Sequence, residues 1–173
     1  LYAAAWDSGL WVYDVSNVAN QAPVFLGSAP GNNTHSSWPT ADGRYVVTGE
    51  ENAFGGIKVF RIITDGGFQM NQTDSLVLPQ SQAISVHNQY VVGYRLYNAW
   101  YQAGMRAFDI DPVTGKLQAA ASYDTYPGTS GGFSGAWGIY VDENHNILTS
   151  DISSGLFVVG HDCNENSIDD QTD

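Results

Sequence analysis

His87-Asn88-Gln89-Tyr90-Val91-Val92-Gly93-Tyr94-Arg95-Leu96-Tyr97-Asn98-Ala99-Trp100-Tyr101-Gln102-Ala103-Gly104-Met105-Arg106-Ala107-Phe108-Asp109-Ile110 is the stretch whose reading decides the fold. Apolar alternation interrupted at Gly93-Tyr94-Arg95 and again before Gly104 is the pattern of antiparallel strands joined by short turns. Its last seven residues are a Gly, a large aliphatic residue and an alternation ending in aromatic, polar, aliphatic. The piece recurs as Gly9-Leu10-Trp11-Val12-Tyr13-Asp14-Val15, as Gly56-Ile57-Lys58-Val59-Phe60-Arg61-Ile62 and, shortened, as Gly155-Leu156-Phe157-Val158-Val159. The four glycines stand 47, 48 and 51 residues apart. A period of that size marks an array of supersecondary units, each unable to bury its apolar faces alone.

Working outward, the second unit is complete. It opens with His35-Ser36-Ser37-Trp38-Pro39-Thr40, turns at Ala41-Asp42-Gly43, runs through Tyr45 to Glu50, returns along Ile57 to Ile62, and after Asp65-Gly66-Gly67 has its outer strand at Ser75-Leu76-Val77-Leu78. An Asp-Gly turn between apolar alternations is a strong hairpin signal. The third unit repeats this plan, with Asp111-Pro112-Val113-Thr114-Gly115 before an outer strand over Leu117 to Tyr123. The first unit has strands at 1–6, 10–15 and 24–28 but no opening strand; the fourth has Trp137 to Val141, Ile147 to Asp151 and Gly155 to Val159 but no outer one. No segment carries apolar residues at helical spacing over three turns.

Four-stranded antiparallel units at this spacing predict an all-β chain, a β-propeller fragment of about four partial or complete blades over residues 1–160, not closed within this chain. A β-sandwich has no need of a near-constant period. A first unit without its inner strand places the expected closing partner upstream of Leu1. The chain has no initiator Met, signal peptide or apolar run long enough to cross a bilayer, and Leu1-Tyr2-Ala3-Ala4-Ala5 already reads as a strand in mid-fold.

Three groups of residues carry a resemblance: Trp38-Pro39-Thr40-Ala41-Asp42-Gly43-Arg44-Tyr45 after His35; His87-Asn88 with Trp100 to Ile110; and Gly135-Ala136-Trp137-Gly138-Ile139-Tyr140 with Ser150-Asp151-Ile152-Ser153-Ser154-Gly155-Leu156-Phe157-Val158. In this order they resemble the LVIVD-repeat propellers of the choice-of-anchor B family, across nearly all of residues 1–160. Those proteins are mostly bacterial, secreted or surface-anchored, and without an established reaction. The resemblance therefore implies a fold and an extracellular or cell-surface address more than a chemistry, with an anchor expected in sequence beyond the C-terminus.

Charge excludes one class of partner. Against 18 acidic residues there are six scattered basic ones, and a net charge of −12 offers no footprint for phosphate neutralisation. Cys163 is the single cysteine, so no disulfide framework holds the repeats.

The acidic end is chemically sharper, and residues 161–173 are read as the start of a separate anchoring segment. Asp162, Asn164, Asn166, Asp170 and Asp173 occupy positions 1, 3, 5, 9 and 12 of a twelve-residue loop, with the Ile168 carbonyl at position 7. Alternate oxygen donors are how a tight loop surrounds Ca²⁺, a hard cation taking six to eight oxygens. The run resembles the calcium loops of dockerin modules and thrombospondin type 3 repeats. Ser167 departs from the usual Gly at the sharp turn, and Asp173 is shorter than the usual Glu. The competing reading is a solvated acidic tail.

Aligning Trp38, Tyr90 and Tyr140 as one inner-strand position places His35, His87 and Trp137 at a second shared position, near the mouth of the channel. With Glu50, Glu51 or Asp151 from neighbouring strand ends, the histidines form a candidate transition-metal site, since imidazole and carboxylate suit Zn, Mn or Fe. The plainer reading, favoured on sequence, is that each His ties one strand to the next. The tryptophans are expected mostly to pack between sheets, with a sugar-stacking surface as the alternative. Gly128 to Gly135 lacks the Gly-Lys-Ser/Thr ending of a phosphate loop, and Gly132-Phe133-Ser134-Gly135-Ala136 is no nucleophile elbow. The sequence thus predicts a binding or adhesion scaffold for a protein or carbohydrate, with a Ca²⁺ segment. The competing class is an extracellular metal-dependent hydrolase or oxidase.

Overall fold

The computed structural model of the chain describes residues 1–79, 84–128 and 132–160. These residues form strands, turns and bends without a helix, in four antiparallel sheets that follow one another along the chain. The first sheet is β1 (Tyr2–Ala4), β2 (Leu10–Asp14) and β3 (Val24–Ala29); the second is β4 (Thr34–Pro39), β5 (Tyr45–Glu50), β6 (Ile57–Ile63) and β7 (Gln69–Leu76). The third is β8 (Gln89–Val92), β9 (Arg95–Ala99), β10 (Met105–Ile110) and β11 (Leu117–Tyr123); the fourth is β12 (Ala136–Val141), β13 (Ile147–Asp151) and β14 (Gly155–Val159). Within each sheet, strand order is chain order. No helix among the described residues is long and apolar enough to cross a membrane. The candidate calcium ligands Asp162, Asn164, Asn166, Ile168, Asp170 and Asp173 lie outside the described residues.

The sheets stack because middle strands of the second and third sheets carry apolar residues on both faces. Val46 of β5 packs with Phe60 against Leu10, Val12 and Ala29 of the first sheet, while Tyr45 and Val47 face Val91, Leu96, Trp100, Phe108 and Ile110 of the third. A third core joins Tyr97, Met105 and Ala107 to Val141 and Ile147 of the fourth sheet. Successive side chains of a strand point to opposite faces, so one strand feeds two cores. Stacking the sheets is what removes these residues from water, at about 25 cal/mol per Å² of apolar surface.

The conserved geometry of the repeat also appears in its irregularities. Pairing of the outer strand skips one residue in each unit that has one: Leu26, Thr73 and Ala120, each 47 residues after the last. A bulge adds local twist, and it recurs at the same place in the outer-strand pairing of these three sheets. The outer strand of the second unit differs from expectation, running over Gln69–Leu76 rather than 75–78. Its residues Gln69, Asn71, Gln72 and Asp74 lack apolar alternation because this strand lies at the sheet's margin, where burial is slight. Turns are closed by aspartates: Asp111 accepts the N–H groups of Val113 and Thr114, and Asp142 those of Asn144 and Asn146. The Thr114 N–H foremost at Asp111, and at Asp142 the Asn146 side-chain amide ahead of these backbone groups, hold both carboxyls below the usual carboxylate range.

Candidate functional site at the mouth of the inner strands

The innermost strands β4, β8 and β12 lie side by side and present two tiers of rings. In one tier Trp38, Tyr90 and Tyr140 stack in succession, with centroids 4.5 and 5.1 Å apart. In the other, His35 and His87 are 4.3 Å apart, and His87 and Trp137 5.0 Å. Trp6 closes this second tier from the first sheet, edge-on to His35 at 5.6 Å. Both alignments read from the repeat therefore correspond to rows of rings in space.

A bulge aims the second tier. In β4 the pairing passes from Thr34↔Glu50 to Ser36↔Gly49, leaving His35 as the extra residue; in β12 it passes from Ala136↔Asp151 to Gly138↔Ser150, leaving Trp137. His87 stands in the same place just before β8, where its N–H donates to Ala99 O while the Ala99 N–H donates to Asn88 O. An extra residue turns its side chain out of the ordinary alternation, and such bulges recur beside active sites.

The turn after each second strand reaches into the next unit. Counting from the pairs Ser37↔Thr48 and Gln89↔Asn98, Glu51 and Tyr101 occupy one repeat position. Trp6 and Tyr101, each three residues before the repeat glycine, exchange backbone hydrogen bonds of 2.9–3.0 Å with Thr34 and Ala136 of the following sheet. Both hold positive φ, 54° and 36°, an unfavourable region for bulky side chains that the intersheet bonds maintain.

In the second unit this position is a carboxylate, and it gathers the site. Glu51 Oε2 lies 3.1 Å from His35 Nδ1, and Glu51 Oε1 lies 3.7 Å from His87 Nε2. The Tyr101 hydroxyl donates to Glu51 Oε1 at 2.5 Å. The His87 Nδ1 stands 2.7 Å from the carbonyl of Trp137. A carbonyl only accepts, so Nδ1 carries the proton and Nε2 of the neutral ring is left bare toward Glu51. Burial lowers the pKa of His87, favouring that neutral ring. Burial, reinforced by the Glu51 carboxylate it donates to, raises that of Tyr101.

Three of the five expected residues are thus brought together: His35, Glu51 and His87, with one donor atom of each within 4.8 Å of the other two. Glu50 and Asp151 are not. Glu50 turns to the other side of its strand, where it pairs with Lys58 and accepts the Asn32 N–H. Asp151 is buried as the cap of its own turn, accepting from the Thr125 hydroxyl and the Ser153 and Ser154 N–H groups. Tyr101 is the partner that sequence reading passed over; its alignment with Glu51 is the signal that identifies it.

The other tier borders a cavity of about 470 Å³ lined by Ser36, Ser37, Trp38, Asn88, Gln89 and Tyr140, among others. Gln89 donates to Val47 O at 2.7 Å, and its buried Oε1 has no hydrogen-bond partner among the described residues. Contrary to expectation, of the five tryptophans only Trp100 lies in an intersheet core; Trp6, Trp11, Trp38 and Trp137 are each at least 38% exposed. Trp38 and Trp137 each cover one face against a ring of a neighbouring sheet, Tyr90 and His87, and leave the rest of the ring exposed.

No family model matches the sequence, and no curated protein matches it. Solved structures do. A candidate 6-phosphogluconolactonase from Bacteroides fragilis superposes with a TM-score of 0.66 at 17% identity, over 87% of this chain and 43% of its own. The periplasmic gluconolactonase of Pseudomonas aeruginosa gives 0.65 at 18% identity, over 86% of this chain and 43% of its own. Sqt1 of Saccharomyces cerevisiae gives 0.57 at 14% identity, over 91% and 46%. The chain spans less than half the length of each of these three. The likeness is one of fold, and with the four successive sheets it makes the chain a partial β-propeller.

Proposed function

We propose that the chain is part of an extracellular LVIVD-type propeller of the choice-of-anchor B kind, acting as a binding scaffold for a carbohydrate. The observation that carries the reading is the cavity beside Trp38, Tyr90 and Tyr140. Half-open aromatic faces suit the apolar C–H faces of a sugar, while Ser36, Ser37, Asn88 and Gln89 supply donors and acceptors for its hydroxyls. Such a mixture of apolar walls and a few polar groups is characteristic of ligand sites. The test is retention on immobilised glycans. The parent chain should bind at least one class, and Trp38→Ala should weaken that binding about ten-fold, near the upper value for one aromatic contact. Failure to retain any glycan, or retention unchanged by Trp38→Ala, overturns the carbohydrate assignment; protein ligands then become the alternative.

Residues 162–173 are assigned in the same proposal to one Ca²⁺ loop, on the spacing of their oxygen donors. Ca²⁺ would offset the repulsion among Asp162, Asp170 and Asp173 and so order the segment. Calorimetric titration of the whole chain should show binding in the range of about 10⁻⁴–10⁻³ M typical of extracellular loops. That heat should vanish in the double variant Asp162→Asn with Asp170→Asn. No heat at millimolar Ca²⁺ removes the segment's assignment.

A second reading, a metal-dependent hydrolase or oxidase, is favoured by the grouping of His35, Glu51 and His87. Sugar lactones are named for two of the solved neighbours. Turnover of a lactone by the chain, lost in Glu51→Gln, would select this reading over a pure scaffold.

A further inference from the structure

We infer that His35, Glu51 and His87 form a zinc-type divalent metal site that joins the second and third sheets at the channel mouth. The inference is independent of the glycan surface, which uses the other ring tier. It rests on three features of the geometry.

First, the donor set is two imidazoles and one carboxylate, a borderline-soft combination suited to Zn²⁺ or Co²⁺ rather than to Ca²⁺ or Mg²⁺, which prefer oxygen alone. Second, the atoms are already near their places. Zinc bonds of about 2.0–2.2 Å set tetrahedral donors roughly 3.4 Å apart; one donor atom of each residue lies within 4.8 Å of the other two, and each Glu51 oxygen faces one histidine, Oε2 at 3.1 Å from His35 Nδ1 and Oε1 at 3.7 Å from His87 Nε2. Third, the outer partners of a metal ligand are present. The Trp137 carbonyl holds Nδ1–H of His87, and the Tyr101 hydroxyl holds Glu51; this is how metal-bound His and carboxylate are oriented in known sites.

The ligands come from two units of the repeat, so metal would clamp one sheet to the next. His35 is the most exposed ligand, 30% against 6% for the His87 side chain, which leaves the fourth coordination position toward the channel. Three protein ligands with one open position is the arrangement of catalytic rather than purely structural zinc.

The test uses the whole chain in a His161→Ala, Cys163→Ser background, because those two side chains can themselves take zinc. Co²⁺ should bind one equivalent and give visible d–d bands, and Zn²⁺ should displace it and raise the melting temperature. Glu51→Gln keeps the shape and an oxygen acceptor for Tyr101, so it is the variant least exposed to misfolding. It should weaken Zn²⁺ by more than the ~10–100-fold expected for losing an outer partner. His87→Ala should do the same, Tyr101→Phe should fall within that ~10–100-fold range, and Trp38→Ala should leave metal binding unchanged. Absence of Co²⁺ bands, or Zn²⁺ affinity unchanged in Glu51→Gln, overturns the site.

Discussion

Gly104→Ala is expected to cost about 2–5 kcal/mol, the sum of a left-handed backbone penalty and overpacking. Gly104 has φ +73°, and a Cβ on it would lie 2.2 Å from the carbonyl oxygen of Tyr123 and 3.0 Å from Asp124 Cα. Neither atom can rotate aside, because both belong to the backbone at the end of β11. The same place is filled at Gly9 by Ala29 O at 2.1 Å and at Gly56 by Leu76 O at 2.2 Å. The repeat glycine is therefore kept clear by the outer strand of its own sheet. Gly155 is the built-in control. Its φ is +91°, but nothing among the described residues lies within 4 Å of its Cβ position. Gly155→Ala should cost only the backbone part, about 1–2 kcal/mol. Chemical denaturation of the two variants measures the difference, and equal costs would show that the carbonyl contact contributes nothing.

Trp100→Ala should be the most damaging replacement in the cores, at about 3–5 kcal/mol. Trp100 is fully buried at 0% exposure and packs in the cluster shared by the second and third sheets, with Val59, Leu96, Phe108 and Ile110. Truncation removes its apolar surface from the protein interior and leaves a cavity that surrounding strands, held by their ladders, close only in part. A loss of that size is a large fraction of the ~5–15 kcal/mol that stabilises an ordinary domain, so the variant should be partly unfolded at 37 °C. Trp11→Ala provides the comparison. Trp11 is 38% exposed and meets Tyr13 and Phe25 on the surface of the first sheet; its loss should cost about 1 kcal/mol. Melting curves for the two variants with similar midpoints would contradict this division of the tryptophans.

The two expectations bear on how legible the molecule is. The repeat glycines and the double-faced strands around them are visible in sequence because they answer to local rules: a period of about 48 residues, alternation by two, and a small residue where the chain turns. The ring tiers were legible for the same reason, since aligned repeats place equivalent side chains on adjacent strands. Glu50 and Glu51 show where that legibility stops. Adjacent residues at a strand end have opposite directions, and which carboxylate enters the channel depends on the side of the sheet each faces. Asp151 is similar. An acidic residue at a strand end can serve a metal or close a turn, and here Thr125, from another loop, draws it into the turn.

What the sequence by itself determined is the all-β architecture, the number of units and the two aromatic and histidine rows, because each follows from periodicity along one chain. Only the tertiary structure decided the members of the site. Glu51 meets His35 and His87, and Tyr101 meets Glu51, through packing of one sheet on the next. Such contacts depend on the bulge at His35 and on the turn that brings Tyr101 back across the boundary between units, neither of which has a one-dimensional signature. The exposure of Trp38 and Trp137 was decided at the same level: whether a large ring packs or faces the channel depends on which face of the strand another sheet covers.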